Sequence, residues 1–123
     1  MDGDKAEQLA RRHLKKAGLT IIECNYRCRR GEIDIIARDG DSLVFVEVRY
    51  RRQNSFGSAA DSINQRKQAR ITTAALSYLQ RHQLGETLPC RFDTICIAPN
   101  PANGLWRQAY HIDWLRNAFQ ANQ

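Results

Sequence analysis

The apolar residues at the start of the chain recur at helical spacing. They would share one side of a helix over residues 4–17: Ala6, Leu9, Ala10, Leu14 and Ala17. Gly18 follows at the position where a glycine commonly ends a helix. Asp4 and Glu7 have the spacing of a capping box, in which the glutamate reaches back to the helix start.

Alternating and continuous apolar runs then predict β-strands over residues 19–27, 32–38 and 42–50. A helical pattern returns over about 64–82, followed by a strand over 90–98. A short fifth strand over 108–112 and a last helix over 114–119 complete the prediction. The order αβββαβ(β)α indicates one α/β domain over residues 1–123, with a mixed sheet flanked by helices.

The second and third strands form a predicted hairpin around Asp39-Gly40-Asp41. A loop of Gly40-Asp41, or of residues 39–42, pairs residues whose numbers sum to 81. Asp34 then faces Glu47, and Glu32 faces Arg49, with all four on one side of the hairpin. The other side carries core residues: Ile33, Ile35, Val46 and Val48. A loop of Asp39-Gly40 alone would instead pair Glu32 with Glu47.

Two carboxylates placed opposite each other on neighbouring strands repel and destabilise the sheet. A divalent cation between Asp34 and Glu47 would turn this repulsion into attraction. Mg²⁺ in particular binds to one or two carboxylates, several waters and substrate phosphate. The hairpin therefore predicts a metal site, and a solvated face of mixed charges is the alternative interpretation.

The composition is basic, with 19 Lys and Arg against 13 Asp and Glu, a net charge of +6 and a pI near 9.5. Such a balance is typical of proteins that bind a phosphate backbone, although an unspecialised basic surface would have it too. No apolar run approaches the roughly 18 residues of a membrane span. The start of the chain lacks an apolar secretory segment, so we expect a cytoplasmic protein without a membrane partner. Its four cysteines lack the C-x2-C spacing of a zinc ribbon and are expected to be small hydrophobic residues on strands.

The segments GEIDIIARDG (31–40) and LVFVEVRYR (43–51) resemble the YraN-like family of predicted endonucleases. The similarity continues through residues 56–58, 66–68 and 90–93 and into the segment that contains Trp114. That family is related to archaeal Holliday junction resolvases. The resemblance thus implies the restriction-endonuclease-like core of PD-(D/E)xK nucleases.

By this resemblance, Asp34 and Glu47 are the acidic residues that bind Mg²⁺ or Mn²⁺, and the backbone carbonyl of Val48 is a further ligand. Glu7 matches the helical glutamate of many such nucleases, and capping with Asp4 is its alternative role. The sequence departs from the superfamily pattern at Arg49, which stands where the motif has lysine. Arginine effectively never loses its proton, so Arg49 is expected to bind phosphate and stabilise negative charge rather than to act as a base.

The resulting prediction is a Mg²⁺- or Mn²⁺-dependent endonuclease of branched or recombining DNA. The resolvase relationship leads us to expect a homodimer. Contacts to the DNA backbone are expected from five basic residues: Arg51, Arg52, Arg66, Lys67 and Arg70. The alternative is a nucleic-acid-binding accessory protein that kept the fold but lost turnover, and a basic protein–protein adaptor is a third reading.

Overall fold

The computed structural model describes residues 3–51, 63–84, 88–99 and 110–120. Its elements in chain order are α1 (Gly3–Lys16), β1 (Thr20–Cys28), β2 (Gly31–Asp39), β3 (Ser42–Tyr50), α2 (Gln65–Arg81), β4 (Cys90–Pro99) and β5 (Tyr110–Phe119). None of the helices within these ranges is long and apolar enough to cross a membrane.

The five strands form one sheet in the order β1-β2-β3-β4-β5. Neighbouring strands are antiparallel except β3 and β4, which are parallel. A parallel pair requires a crossover, and α2 lies in that connection. The architecture confirms the predicted α+β class with a mixed sheet, and the first six elements follow the predicted order αβββαβ.

The predicted last helix over 114–119 is wrong, because these residues belong to β5. The strand pairs with β4 from Phe92↔Phe119 to Pro99↔Tyr110. Tyr110, Ile112 and Trp114 alternate with polar residues, which is a two-residue period that extends the predicted fifth strand. A six-residue helix offers few internal hydrogen bonds, whereas pairing with β4 gives this segment seven register partners in the sheet. Residues 108 and 109 lie outside the described ranges.

Each helix covers one side of the sheet. On the α1 side, the helix packs on buried residues of three strands: Ile35, Ala37, Val44, Val46, Ile95 and Ile97. On the α2 side, the helix packs on a second buried group: Tyr26, Ile33, Ile36, Leu43, Phe45 and Phe92. The sheet is therefore buried on both sides, which explains why its central strands are almost continuously apolar.

The helix ends follow the sequence signals in part. Gly18 has a φ of 97° after α1, and the N–H of Leu19 donates to the carbonyl of Leu14, as in a glycine-ended helix. Asp4 lies inside the first turn of α1 instead of capping it. Asn64 caps α2 by accepting a hydrogen bond from the N–H of Lys67 at 2.8 Å. This cap fixes the position of Lys67 in the first turn of α2.

Gly31 sets the close approach of α2 to the sheet. A Cβ atom at this position would collide with the backbone carbonyl of Arg70 on α2. Glycine is therefore required here for its small size, since its backbone needs no unusual φ. The start of β2 and the first turns of α2 are consequently in backbone contact, and this brings Lys67 toward the hairpin.

Candidate metal and nucleic-acid site

The β2–β3 hairpin has the predicted register. Its pairs run from Asp39↔Ser42 to Ile35↔Val46, and the residue numbers in each pair sum to 81. The alternative register with a loop of Asp39-Gly40 alone is excluded, because Asp39 is itself paired. Asp34 and Glu47 are the next positions along the hairpin, where the regular pairing has ended.

The alternation of side chains breaks at Asp34. Ile33 packs on the α2 side and Ile35 on the α1 side, so the prediction that both share one face is wrong. The neighbouring strand β1 breaks at the same level, where Asn25 has a φ of 55°. Asparagine tolerates this left-handed backbone better than most residues, and the twist that it introduces re-aims the side chains around it.

The Asp34 carboxylate replaces the missing backbone pairing. Its Oδ2 atom accepts a hydrogen bond from the backbone N–H of Val48 at 2.8 Å. This bond joins β2 to β3 next to Glu47 and fixes the orientation of the Asp34 side chain. Asp34 thus leans toward the strand that carries the second carboxylate, as expected for a shared site.

Glu47 is buried within the fold. Its side chain is 6% exposed, and its Oε1 atom lies 2.6 Å from Nζ of Lys67. Lys67 reaches this carboxylate from the first turn of α2, and its own side chain is 44% exposed. A buried carboxylate requires a paired charge, and here the described cation that pairs with it comes from the helix.

The electrostatics of the pair are unbalanced. Burial, and then the negative charge of Glu47, raise the pKa of Asp34 from 3.8 to about 7. The N–H of Val48 and the positive charge of Lys67 oppose this rise without cancelling it. Near neutral pH, Asp34 and Glu47 therefore either share a proton or favour the binding of additional positive charge.

A second unbalanced group lies beside Glu47. Thr94 on β4 is the register partner of Glu47. Its hydroxyl is buried and has no hydrogen-bond partner among the described residues. A polar atom left unpaired inside a fold is costly, and this one lies at the position next to the buried carboxylate.

Other predicted acidic contacts are arranged differently. Glu32 lies across from Arg27 on β1, with 3.6 Å between its Oε2 atom and the guanidinium, so the predicted Glu32–Arg49 pair is not formed among the described residues. Glu7 accepts hydrogen bonds from Arg11 and Asn25, each at 3.0 Å. It thus faces the sheet rather than capping α1.

The donor set suits a hard cation that completes its shell from solvent and substrate. In the ranges that the structure describes, no group of three His, Cys, Asp or Glu side chains could hold a metal. Glu7 is therefore not brought together with Asp34 and Glu47 as a third ligand. Two carboxylates still fit Mg²⁺ or Mn²⁺, because these ions take their remaining ligands from water and substrate phosphate.

Comparison with known proteins places this hairpin in a family. A model described as "Uncharacterised protein family UPF0102" matches residues 6–97, which include the whole hairpin. The chain belongs to the UPF0102 family. This is the YraN-like family that the hairpin residues resemble.

Relatives match over nearly their full length. A UPF0102 protein of Nitrosococcus oceani is 49% identical over 96% of this chain and 90% of the relative. One from Stutzerimonas stutzeri is 45% identical over 97% and 94%, and one from Methylobacillus flagellatus is 45% identical over 97% and 96%.

The predicted phosphate-binding cations of this UPF0102 chain are distributed unevenly. Arg66 and Arg70 are exposed on α2, and Arg51 follows β3 with its N–H bonded to the carbonyl of Ile97. Arg49 is half-buried and makes no ion pair with any described residue. Arg52 lies outside the described residues. Lys67, in contrast, is in direct contact with the site carboxylate of Glu47.

Three features of the site were missed by sequence reasoning. The ion pair between Lys67 and Glu47 joins residues twenty positions apart and has no local signal. The irregular backbone at Asn25 is signalled only by the tolerance of asparagine for positive φ. Gly31 precedes the GEID residues directly, but its contact with α2 depends on how the helix docks.

Proposed function

We propose that this UPF0102 protein is a metal-dependent DNA endonuclease that hydrolyses phosphodiester bonds at the Asp34–Glu47 site. The observation that carries this proposal is the proximity of two carboxylates, Asp34 and Glu47, whose negative charges exceed the single positive charge of Lys67 beside them. Burial and Glu47 raise the pKa of Asp34 to about 7. A fold gains no stability from such a pair, and a divalent cation would relieve the repulsion.

The chemistry that the metal supplies when bound is activation of water, orientation of the scissile phosphate and neutralisation of its charge. Asp34 and Glu47 would hold it, with the Val48 carbonyl as the further ligand implied by the resemblance. The N–H of Val48 keeps Asp34 oriented toward β3. Arg49 lies two residues after Glu47 and would donate to a phosphate oxygen.

The net charge of +6 favours a polyanionic substrate. Exposed Arg66 and Arg70 on α2, and Arg51 directly after β3, would bind the DNA backbone, as would Arg52. The resolvase relationship suggests branched DNA and a homodimer that cuts two strands.

The test is cleavage of linear, flapped and four-way DNA with Mg²⁺ or Mn²⁺. We expect wild-type protein to cut at least one of them. Asp34→Asn should lose more than a thousandfold in rate while its DNA affinity in EDTA stays within about threefold of wild type, since the substitution removes a metal ligand and leaves the basic surface intact. No cleavage of any substrate by folded wild-type protein would refute the proposal.

One observation favours a second function, that of a nucleic-acid-binding accessory protein without turnover. Arg49 occupies the motif lysine position and pairs with no described carboxylate. Calorimetric titration with Mn²⁺ separates the two functions. Binding that is lost in Glu47→Gln supports the nuclease, and salt-dependent DNA binding without any Mn²⁺ binding supports the accessory protein.

A further inference from the structure

We propose that Lys67 of α2 is a catalytic residue that contacts the scissile phosphate and supplies, from the helix, the positive charge that Arg49 does not bring to the carboxylates. This inference rests on the proposed endonuclease function. It assigns the role to a residue that sequence reasoning had placed only among general backbone contacts. Its basis is the geometry of the Glu47–Lys67 pair.

The position of Lys67 is determined by two local features. Asn64 caps α2 and accepts the N–H of Lys67 at 2.8 Å, which places the residue in the first helical turn. Gly31 lets the backbone of α2 lie directly against β2. Together they aim the Lys67 side chain at the hairpin end rather than along the outer surface of the helix.

The contact leaves Lys67 free to bind a second group. Its ammonium has three donors, and one described partner, Glu47 Oε1, lies 2.6 Å away. Glu47 is almost fully buried, whereas Lys67 is 44% exposed, so the ammonium lies between the carboxylate and solvent. A phosphate that approaches the two carboxylates from solvent therefore meets Lys67.

The charges favour the same arrangement. Ionised Asp34 and Glu47 contribute −2, and Lys67 contributes +1. A bound divalent cation then leaves the cluster at +1, which attracts a phosphodiester of charge −1. Without Lys67 the loaded cluster would be neutral, and the phosphate would lose the attraction of that extra charge. The first turn of α2 contains no acidic residue, so its backbone N–H groups add to the positive potential.

Arg49 does not share this position. It lies two residues beyond Glu47 on β3, yet it forms no ion pair within the described ranges, while Lys67 contacts Glu47 directly. A guanidinium would also present a broad planar fork, whereas the lysine ammonium is a compact charge that fits beside a metal-held oxygen. We therefore assign the main charge stabilisation to Lys67 and a peripheral phosphate contact to Arg49.

The experiment compares Lys67→Met with wild type and with Arg81→Met, which removes one charge from the exposed far end of the same helix. Two quantities are measured: kcat for cleavage, and DNA affinity in Ca²⁺ and in EDTA. We expect Lys67→Met to lower kcat by about 10²–10³, the usual effect of losing one transition-state donor. DNA affinity should fall at least fivefold further in Ca²⁺ than in EDTA, and Arg81→Met should change neither quantity more than twofold.

Lys67→Met leaves Glu47 buried without a cation, so thermal unfolding is followed for each variant. If the methionine variant is not folded, Lys67→Gln replaces it, since the amide still donates to Glu47 but carries no charge. The expected losses are the same. Unchanged kcat in a folded variant, or equal affinity losses in Ca²⁺ and EDTA, would overturn the assignment.

Failure of this inference can be distinguished from failure of the proposed function. A wild-type protein that binds DNA more tightly in Ca²⁺ but cleaves nothing refutes hydrolysis, and the Ca²⁺ comparison still decides whether Lys67 contacts the phosphate. A wild-type protein that cleaves DNA, with Lys67→Met cleaving equally well, supports the function and refutes the role of Lys67.

Discussion

Two buried acidic clusters lie on opposite sides of the same sheet and are supplied very differently with hydrogen-bond donors. On the α1 side, Asp93 is fully buried and receives Nε of Arg91 at 3.1 and 3.2 Å. It also receives the indole N–H of Trp114 at 2.9 Å and the N–H of Asn117 at 3.0 Å. On the α2 side, Asp34 receives one N–H and faces a second carboxylate.

The difference in hydrogen-bond donors distinguishes a structural carboxylate, Asp93, from the proposed functional pair, Asp34 and Glu47. The partners of Asp93 come from β4 itself and from β5, so this carboxylate ties the edge strand to the sheet and has little capacity left for a ligand. Among the described residues, Lys67 is the cation that pairs with Glu47, and the neighbouring hydroxyl of Thr94 has no hydrogen-bond partner. Burial of an acidic residue therefore does not mark a candidate site by itself, whereas burial with few hydrogen-bond donors does.

The largest effect on stability is expected at Asp93, the carboxylate that accepts several hydrogen bonds. Asp93→Asn places an amide among the donors of Arg91 and Trp114. It also removes the more deeply buried of the two carboxylates that pair with the arginine, the other being Asp39 at 2.9 Å. Breaking one partner of a buried ion pair destabilises proteins by about 3–5 kcal/mol, and we expect the free energy of unfolding to fall by that amount. Urea denaturation measures it.

The control for this prediction is Asp113→Asn on β5. Asp113 is 61% exposed and lies 3.1 Å from His111, so its removal should change stability by no more than about 0.5 kcal/mol. Equal effects of the two substitutions on the free energy of unfolding would show that Asp93 does not hold β5 to the sheet.

The sequence predicts the proximity of Asp34 and Glu47, but it does not predict the environment of Asp93. The hairpin register follows from a short turn and from period-two patterning, which are local features, and it brings Asp34 next to Glu47. The role of Asp93 depends on β5, where the sequence predicts a helix over the six residues that follow Asp113. Asp93, Trp114 and Asn117 meet only after that strand has paired with β4, a contact that local patterns do not encode.

The same reason explains what was missed within the functional site. Lys67 could be placed in the first turn of α2 from the sequence, but the direction of the helix over the sheet could not. That direction depends on the absence of a side chain at Gly31 and on the packing of Ile71, Ala74 and Tyr78 against the strands.

The next prediction concerns the pH dependence of stability at the Asp34–Glu47 pair. The pKa of Asp34 in the fold, about 7, lies above its value of 3.8 in an unfolded chain. The folded state thus binds this proton more tightly, and metal-free stability falls as the pH rises from about 4 through 7. A shift of roughly three units corresponds to about 4 kcal/mol at most.

Asp34→Asn removes this penalty. We expect the metal-free variant to gain up to about 4 kcal/mol over wild type at pH 8.5 and almost nothing at pH 4, in urea unfolding at each pH. Asp41→Asn in the exposed turn of the hairpin is the control and should show no such pH-dependent gain. A variant that is less stable than wild type at pH 8.5 would contradict the description of the pair as unbalanced.

A smaller effect is expected from the ligand that the pair is proposed to bind. At one hundred times its dissociation constant, Mn²⁺ should stabilise the protein by about 2.7 kcal/mol at pH 8, seen as a shift of the thermal midpoint. Below pH 7 the ion must displace the proton on Asp34, so its affinity should fall about tenfold per pH unit. Glu47→Gln should abolish the shift. An equal shift in that variant would place the ion elsewhere.

The smallest effect concerns the docking of α2 on the sheet. The Glu47–Lys67 contact depends on this docking, whereas the contacts of Asp93 do not. Gly31→Ala forces a methyl group against the carbonyl of Arg70, and such overpacking destabilises by about 1–3 kcal/mol. Because the strain lies at the start of β2, it should displace the first turn of α2 and loosen Lys67 from Glu47. Asp93 lies on the other side of the sheet and should keep its partners.

NMR distinguishes the two clusters in the same variant. The indole N–H signal of Trp114 should stay in place, while the amide signals around Lys67 move. Gly3→Ala is the control, since a Cβ there meets no atom within 4 Å and alanine favours the helix. A Trp114 shift as large as those of the α2 amides would mean that the clusters are coupled through the sheet, and the contrast between a structural and a functional carboxylate would then fail.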